Sequence, residues 1–202
     1  MMRKHVLSAL ALGLSVAAGG AAWAQTPAPT RLRGTIDAVN GDTLTVTPRN
    51  GSPATVLLAP NARIAGITVA KITDIKPGSF IGTAGIPQPD GSQKALEVHV
   101  FPPSMNGTGE GFRPWDRPNS TMTNGTVGDL VVSNGRTMTV KYSTGEKKIV
   151  VPEDVPIVSI EPGNRSMLTP GAHVVLFVTK AADGTMTAVN VSVGENGLTP
   201  PM

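Results

Sequence analysis

Apolar and polar residues alternate along most of this chain in short runs, the pattern of strands with one buried face. Leu44 and Val46 stand between threonines, and Leu96, Val98 and Val100 are separated by Glu97 and His99. This alternation predicts strands over residues 32–39, 43–47, 54–58, 79–86 and 93–100. Asn40-Gly41-Asp42 separates the first two as a hairpin turn, because Asn and Gly tolerate positive φ. Between the third and fourth strands Val69, Ile72 and Ile75 recur at three-residue spacing, which predicts one or two helical turns over residues 67–75. Pro77-Gly78 then returns the chain to a strand.

The pattern occurs twice. Ile75-Lys76-Pro77-Gly78 returns as Leu168-Thr169-Pro170-Gly171, and Asp90-Gly91 as Asp183-Gly184, each 93 positions later. Leu96, Val98 and Val100 return at the same offset as Val189, Val191 and Val193. The second set of strands falls at residues 125–132, 137–142, 147–151, 173–180 and 188–193, with a first hairpin three residues longer. Punctuation and apolar phase that repeat together are most simply one small fold used twice. Five strands with a short helical connection after the third is the order of an OB-type barrel; a small SH3-like barrel or an open sandwich is the competing shape. The expectation is an all-β protein of two tandem, small, OB-like five-stranded barrels, at residues 31–101 and 122–195. Residues 102–121 join them as a Gly/Pro-rich linker, and residues 196–202 form a tail.

The first 24 residues read as an address. Arg3 and Lys4 give a positive start, Val6 to Val16 is apolar apart from Ser8, Gly13 and Ser15, and Ala22-Trp23-Ala24 has the small-x-small form that signal peptidase reads. Cleavage after Ala24 would leave residues 25–30 as a flexible leader and place the protein in the periplasm or outside the cell. No later stretch approaches the roughly 20 apolar residues of a membrane span. The chain has no cysteine, hence no disulfide and no thiolate chemistry. Without Arg3 and Lys4, 15 basic residues face 14 acidic ones, so long-range attraction to nucleic acid or anionic lipid is weak.

The repeated motifs carry a resemblance. Gly34-Thr35-Ile36, Leu44-Thr45-Val46, Pro77-Gly78 and Val98-His99-Val100 match Gly125-Thr126-Val127, Met138-Thr139-Val140, Pro170-Gly171 and Val191-Ser192-Val193. This set resembles a widespread family of exported bacterial domains of unknown function built on OB-type units. The segments from Lys76 to Gly82, from Pro87 to His99 and from Gly107 to Asp116 are similar to signatures of one proteobacterial group within it. Members of that group often carry a label as a metal-transporter permease, which a chain without spans does not fit. The resemblance implies fold and export; it brings no catalytic or binding residues.

Candidate chemistry is sparse. Glu97 and His99 leave one face of a strand, opposite Leu96, Val98 and Val100, and make a two-ligand start for a metal ion. Asp74 or Glu110 are the candidates for a third donor, and the competing reading is an ordinary polar outer face. In the second repeat the pair is Asn190 and Ser192, so such a site would exist once. His173 starts an apolar run and reads as a partly buried strand residue. Glu153 and Asp154 read as solvated turn acids. No nucleophile elbow, Walker loop or dinucleotide fingerprint occurs. Few aromatics and a near-neutral charge argue against a single-strand binding groove. In the linker, Phe112, Arg113, Trp115 and Arg117 form either a partner-binding stripe or, through Trp115, a pin that holds the linker on a barrel. The functional expectation is a non-enzymatic binding or scaffold protein of the envelope, without a cofactor, acting on a protein or glycan. Accessory metal handling at Glu97 and His99 is the alternative.

Overall fold

Three strands carry the first apolar phase inward: β1 (Thr30–Asn40), β2 (Thr43–Pro48) and β3 (Ala54–Val69). Ile36, Leu44, Val46, Val56 and Leu58 are all buried against one another. Gly41 takes φ 58° in the turn joining β1 to β2. The computed structural model describes residues 29–131 and 136–201. The expected signal segment, most of the leader and the extra residues of the second hairpin lie outside them.

The remaining strands are β4 (Phe80–Pro87), β5 (Gln93–Val100), β6 (Gly111–Pro114), β7 (Thr121–Val131), β8 (Thr137–Tyr142), β9 (Gly145–Val150), β10 (Ile157–Pro162), β11 (His173–Lys180) and β12 (Met186–Gly194). The protein is all-β, and among the described residues no helix is long and apolar enough to cross a membrane. Its strands close two five-stranded barrels. One runs β1-β2-β3-β12-β11 and returns to β1; the other runs β7-β8-β9-β5-β4 and returns to β7. In each, the third and last strands pair in parallel (β3 with β12, β9 with β5) and the first and fourth antiparallel. That is the OB arrangement.

The barrels are not, however, the units 31–101 and 122–195 of the sequence reading. Each takes its first three strands from one repeat and its last two from the other. The cause lies in β3, which does not end at residue 58 but continues to Val69, 16 residues or roughly 50 Å in all. This carries the chain out of the first barrel before β4 begins. The far half of β3 pairs with β10, a strand the alternation did not predict, and Ile67 lies opposite Ile160. Those two isoleucines hold the same position in the two repeats, 93 residues apart, so an internal pseudo-twofold axis passes between them. The helical turns expected over 67–75 shrink to one 3₁₀ turn at Ile72–Asp74; β-branched Ile67, Thr68 and Val69 instead complete the ladder with β10. The segment expected as a linker holds a strand of its own, β6, paired with β7.

The two barrel cores therefore mix residues of both repeats. Ile36, Leu44 and Val46 pack with Val174, Leu176 and Val191; Ile81 and Val98 pack with Val127, Met138 and Ile149. Ile67, Val158, Ile160 and Val175 form a third cluster where the barrels meet.

The Gly-x-Ile/Val motif has a steric origin. A Cβ at Gly34 would stand 2.3 Å from the Thr47 carbonyl oxygen, and one at Gly125 would stand 2.2 Å from that of Lys141. Both obstacles are backbone of the paired strand. Gly34→Ala and Gly125→Ala are expected to cost about 1–3 kcal/mol each by overpacking, despite the gain in chain stiffness. Urea unfolding midpoints measure this, and a midpoint at or above wild type would contradict it.

Candidate functional site

Glu97 and His99 point away from the core of their barrel, but Leu96 does not lie opposite Glu97 as expected: a bulge at Leu96, between Ala95 paired with Gly85 and Glu97 paired with Ala84, leaves Ala95 and Val98 in the core and sets Leu96 beside Glu97 on the cavity wall. Their face is not the solvated outer surface of the competing reading. Glu97 is 6% and His99 2% exposed, because this face of β5 turns toward the first barrel and the linker. Thr83 donates to the Glu97 carbonyl at 2.7 Å and locks the strand beneath. His99 Nε2 is buried without a hydrogen-bond partner, and Glu97 Oε1 stands 3.8 Å away, beyond hydrogen-bond reach.

Burial pushes Glu97 up to about 7, with the Asp116 carboxylate adding to the rise and Arg33, Arg117 and Arg31 opposing it. Burial pushes His99 down to about 4, so the ring is neutral at pH 7 and forms no ion pair with Glu97. The two donors are thus side by side, but the expected third is elsewhere. Asp74 accepts from the Lys71 amide at 2.7 Å, and Glu110 from the Ser143 amide at 2.6 Å. Among the described residues no three His, Asp or Glu side chains gather around one point.

The linker is bound down by polar groups of its own and of β7. Asn124 donates to the Thr108 carbonyl at 3.0 Å, and Arg113 to that of Gly109 at 2.7 Å. Ser120 closes the turn after Trp115, donating to the Arg117 carbonyl at 2.7 Å. Trp115 is half-buried, with the Arg31 guanidinium 3.6 Å from its ring centre and that of Arg113 at 5.4 Å. Arg31 also lies 5.1 Å from the Phe177 ring, so the indole is clamped to the outer face of the first barrel. Phe112 is on the other side of β6, 41% exposed, beneath Lys147 at 4.8 Å. Phe112 therefore stands apart from Arg113 and Trp115 rather than in one stripe with them.

Between the turn, β1, the end of β2 and β5 opens a cavity of about 570 Å³. Arg31, Arg33, Arg49 and Arg117 supply its cations, and Glu97 and Asp116 its acids. Asp116 pairs with Arg33. Arg49 reaches the Pro200 carbonyl at a long 3.5 Å, and among the described residues Arg117 has no carboxylate within ion-pair distance. Sequence reasoning found Trp115, Arg117 and Glu97 but missed Arg31, Arg33, Arg49 and Asp116. Arg31-Leu32-Arg33 was the available signal, two cations on the outer side of a strand whose alternate residue packs inward.

The other flagged groups form no reactive set. His173 is half-buried at the start of β11, with Nδ1 3.0 Å from Thr35 Oγ1; Glu153 and Asp154 are exposed. Comparison with protein-family models, curated proteins and solved structures gave no match.

Proposed function

We propose that this chain is an exported, non-enzymatic binding protein of the cell envelope, and that its ligand occupies the arginine-lined cavity beside Trp115. One observation carries the reading: four guanidiniums, two carboxylates and an indole from remote parts of the chain converge on one concave site. Its volume is that of a small-molecule pocket. Export is supported by the charged start, apolar run and Ala22-Trp23-Ala24 of the first 24 residues, and by the resemblance to exported proteobacterial proteins.

A thermal-shift screen of sugars, amino acids, small acids and short peptides tests it. A ligand at about 100 times its dissociation constant adds about 2.7 kcal/mol, or about 5–10 °C in Tm for a chain of this size. The shift should vanish in Asn50→Trp, which fills the cavity mouth. A shift that survives this substitution, or no shift from any compound, overturns the reading.

The orphaned His99 Nε2 beside Glu97 favours a second reading, metal handling at this pair. Calorimetry with zinc, copper and nickel at micromolar metal tests it, and no heat beyond buffer retires it.

A further inference from the structure

The cavity has an unbalanced charge. Four guanidiniums face Asp116 and Glu97, an excess of two positive charges when Glu97 is ionised and three when it is protonated. Among the described residues no acid of the cavity lining beyond Asp116 and Glu97 answers this excess. Arg33 is engaged with Asp116, and Arg31 is held between two rings. Arg49 and Arg117 are exposed at the rim, with no carboxylate paired to either among the described residues. Guanidiniums that meet no protein acid at a concave site offer forked donors to phosphate or carboxylate oxygens.

Resting on the cavity reading above, we infer that the ligand is a small organic dianion, carrying a phosphate ester or two carboxylates, gripped by Arg49 and Arg117 above the Arg33–Asp116 pair. A neutral sugar would leave the excess uncompensated, and a bare metal cation at Glu97 would add to it. A polymer is disfavoured by the volume of about 570 Å³ and by Pro201, which lines the cavity from the chain's far end.

The test uses the protein from Gln25 onward, in which Trp115 is the only tryptophan, since the other of the two is Trp23. Its fluorescence is titrated with glucose 6-phosphate and with glucarate, and with glucose as the neutral control. At least one acid is expected to change the signal saturably below about 1 mM, and glucose is not. The stronger acid tells phosphate from carboxylate. Arg49→Ala and Arg117→Ala should each weaken binding about tenfold or more with Tm unchanged, as both side chains are exposed.

Equal saturation by glucose, silence from both acids at about 10 mM, or wild-type affinity in both arginine variants overturns the anion assignment. If glucose alone saturates, the cavity stands as a binding site and only the ligand class falls. If neither these probes nor the thermal-shift screen gives a signal, the cavity reading falls too.

Discussion

Leu44→Ala is expected to destabilise both barrels together, by about 2–5 kcal/mol. Leu44 is fully buried in the first barrel, and its counterpart Met138 is fully buried in the second. In two independent tandem barrels, a cavity at Leu44 would leave the second untouched. Here the first barrel's core includes Val174, Leu176 and Val191, which follow the second barrel's β7, β8 and β9 along the chain. The second barrel in turn needs β4 and β5, which β3 delivers from the first. Neither closes without strands from both repeats. Hydrogen exchange should show β8 amides losing as much protection as β2 amides, and calorimetry should show one transition. Two resolved transitions, with β8 unaffected, would contradict the exchange of strands.

The second large effect is a pair of opposite pH dependences. Glu97 is raised to about 7 in the fold against 4.5 in the open chain, so the folded state binds more protons between these values. Its contribution is complete below about 4.5 and is lost as pH rises through 7. His99 is lowered from 6.5 to about 4, so its contribution is complete above 6.5 and is lost as pH falls through 4. Between about 4.5 and 6.5 the two oppose one another, and wild-type stability should be nearly flat. Single variants uncover each half. Glu97→Gln should gain stability with rising pH from about 4 to about 6.5, by up to about 1.4 kcal/mol per pH unit. His99→Gln should lose it with rising pH from about 4.5 to about 7, with a slope of the same size. Urea unfolding across this range measures both slopes. Slopes of the same sign in the two variants would mean that one of the two groups is not buried as described.

Much of the architecture is readable in one dimension. The threonine-spaced Leu44 and Val46, the Asn40-Gly41 turn and the Pro77-Gly78 break are local signals, and the structure places strands and turns where they predict. The site was half readable. Trp115 and Arg117 stand out in a polar linker, and Glu97 is paired with His99 on the polar phase of its strand; Arg31, Arg33 and Arg49 resemble any solvated strand cations until β1 is set beside the linker turn.

By itself the amino-acid order determined ten of the twelve described strands, their duplication at an offset of 93 and the barrel type, because periodicity and turn chemistry act within a few neighbours. Only the tertiary structure decided which strands close which barrel. The two repeats present matching edges and apolar phases, so either partner satisfies the same hydrogen bonds and buries the same surface. The choice fell to the length of β3, and with it the burial of Glu97 and His99 and the meeting of Arg31, Arg33 and Arg49 with Arg117.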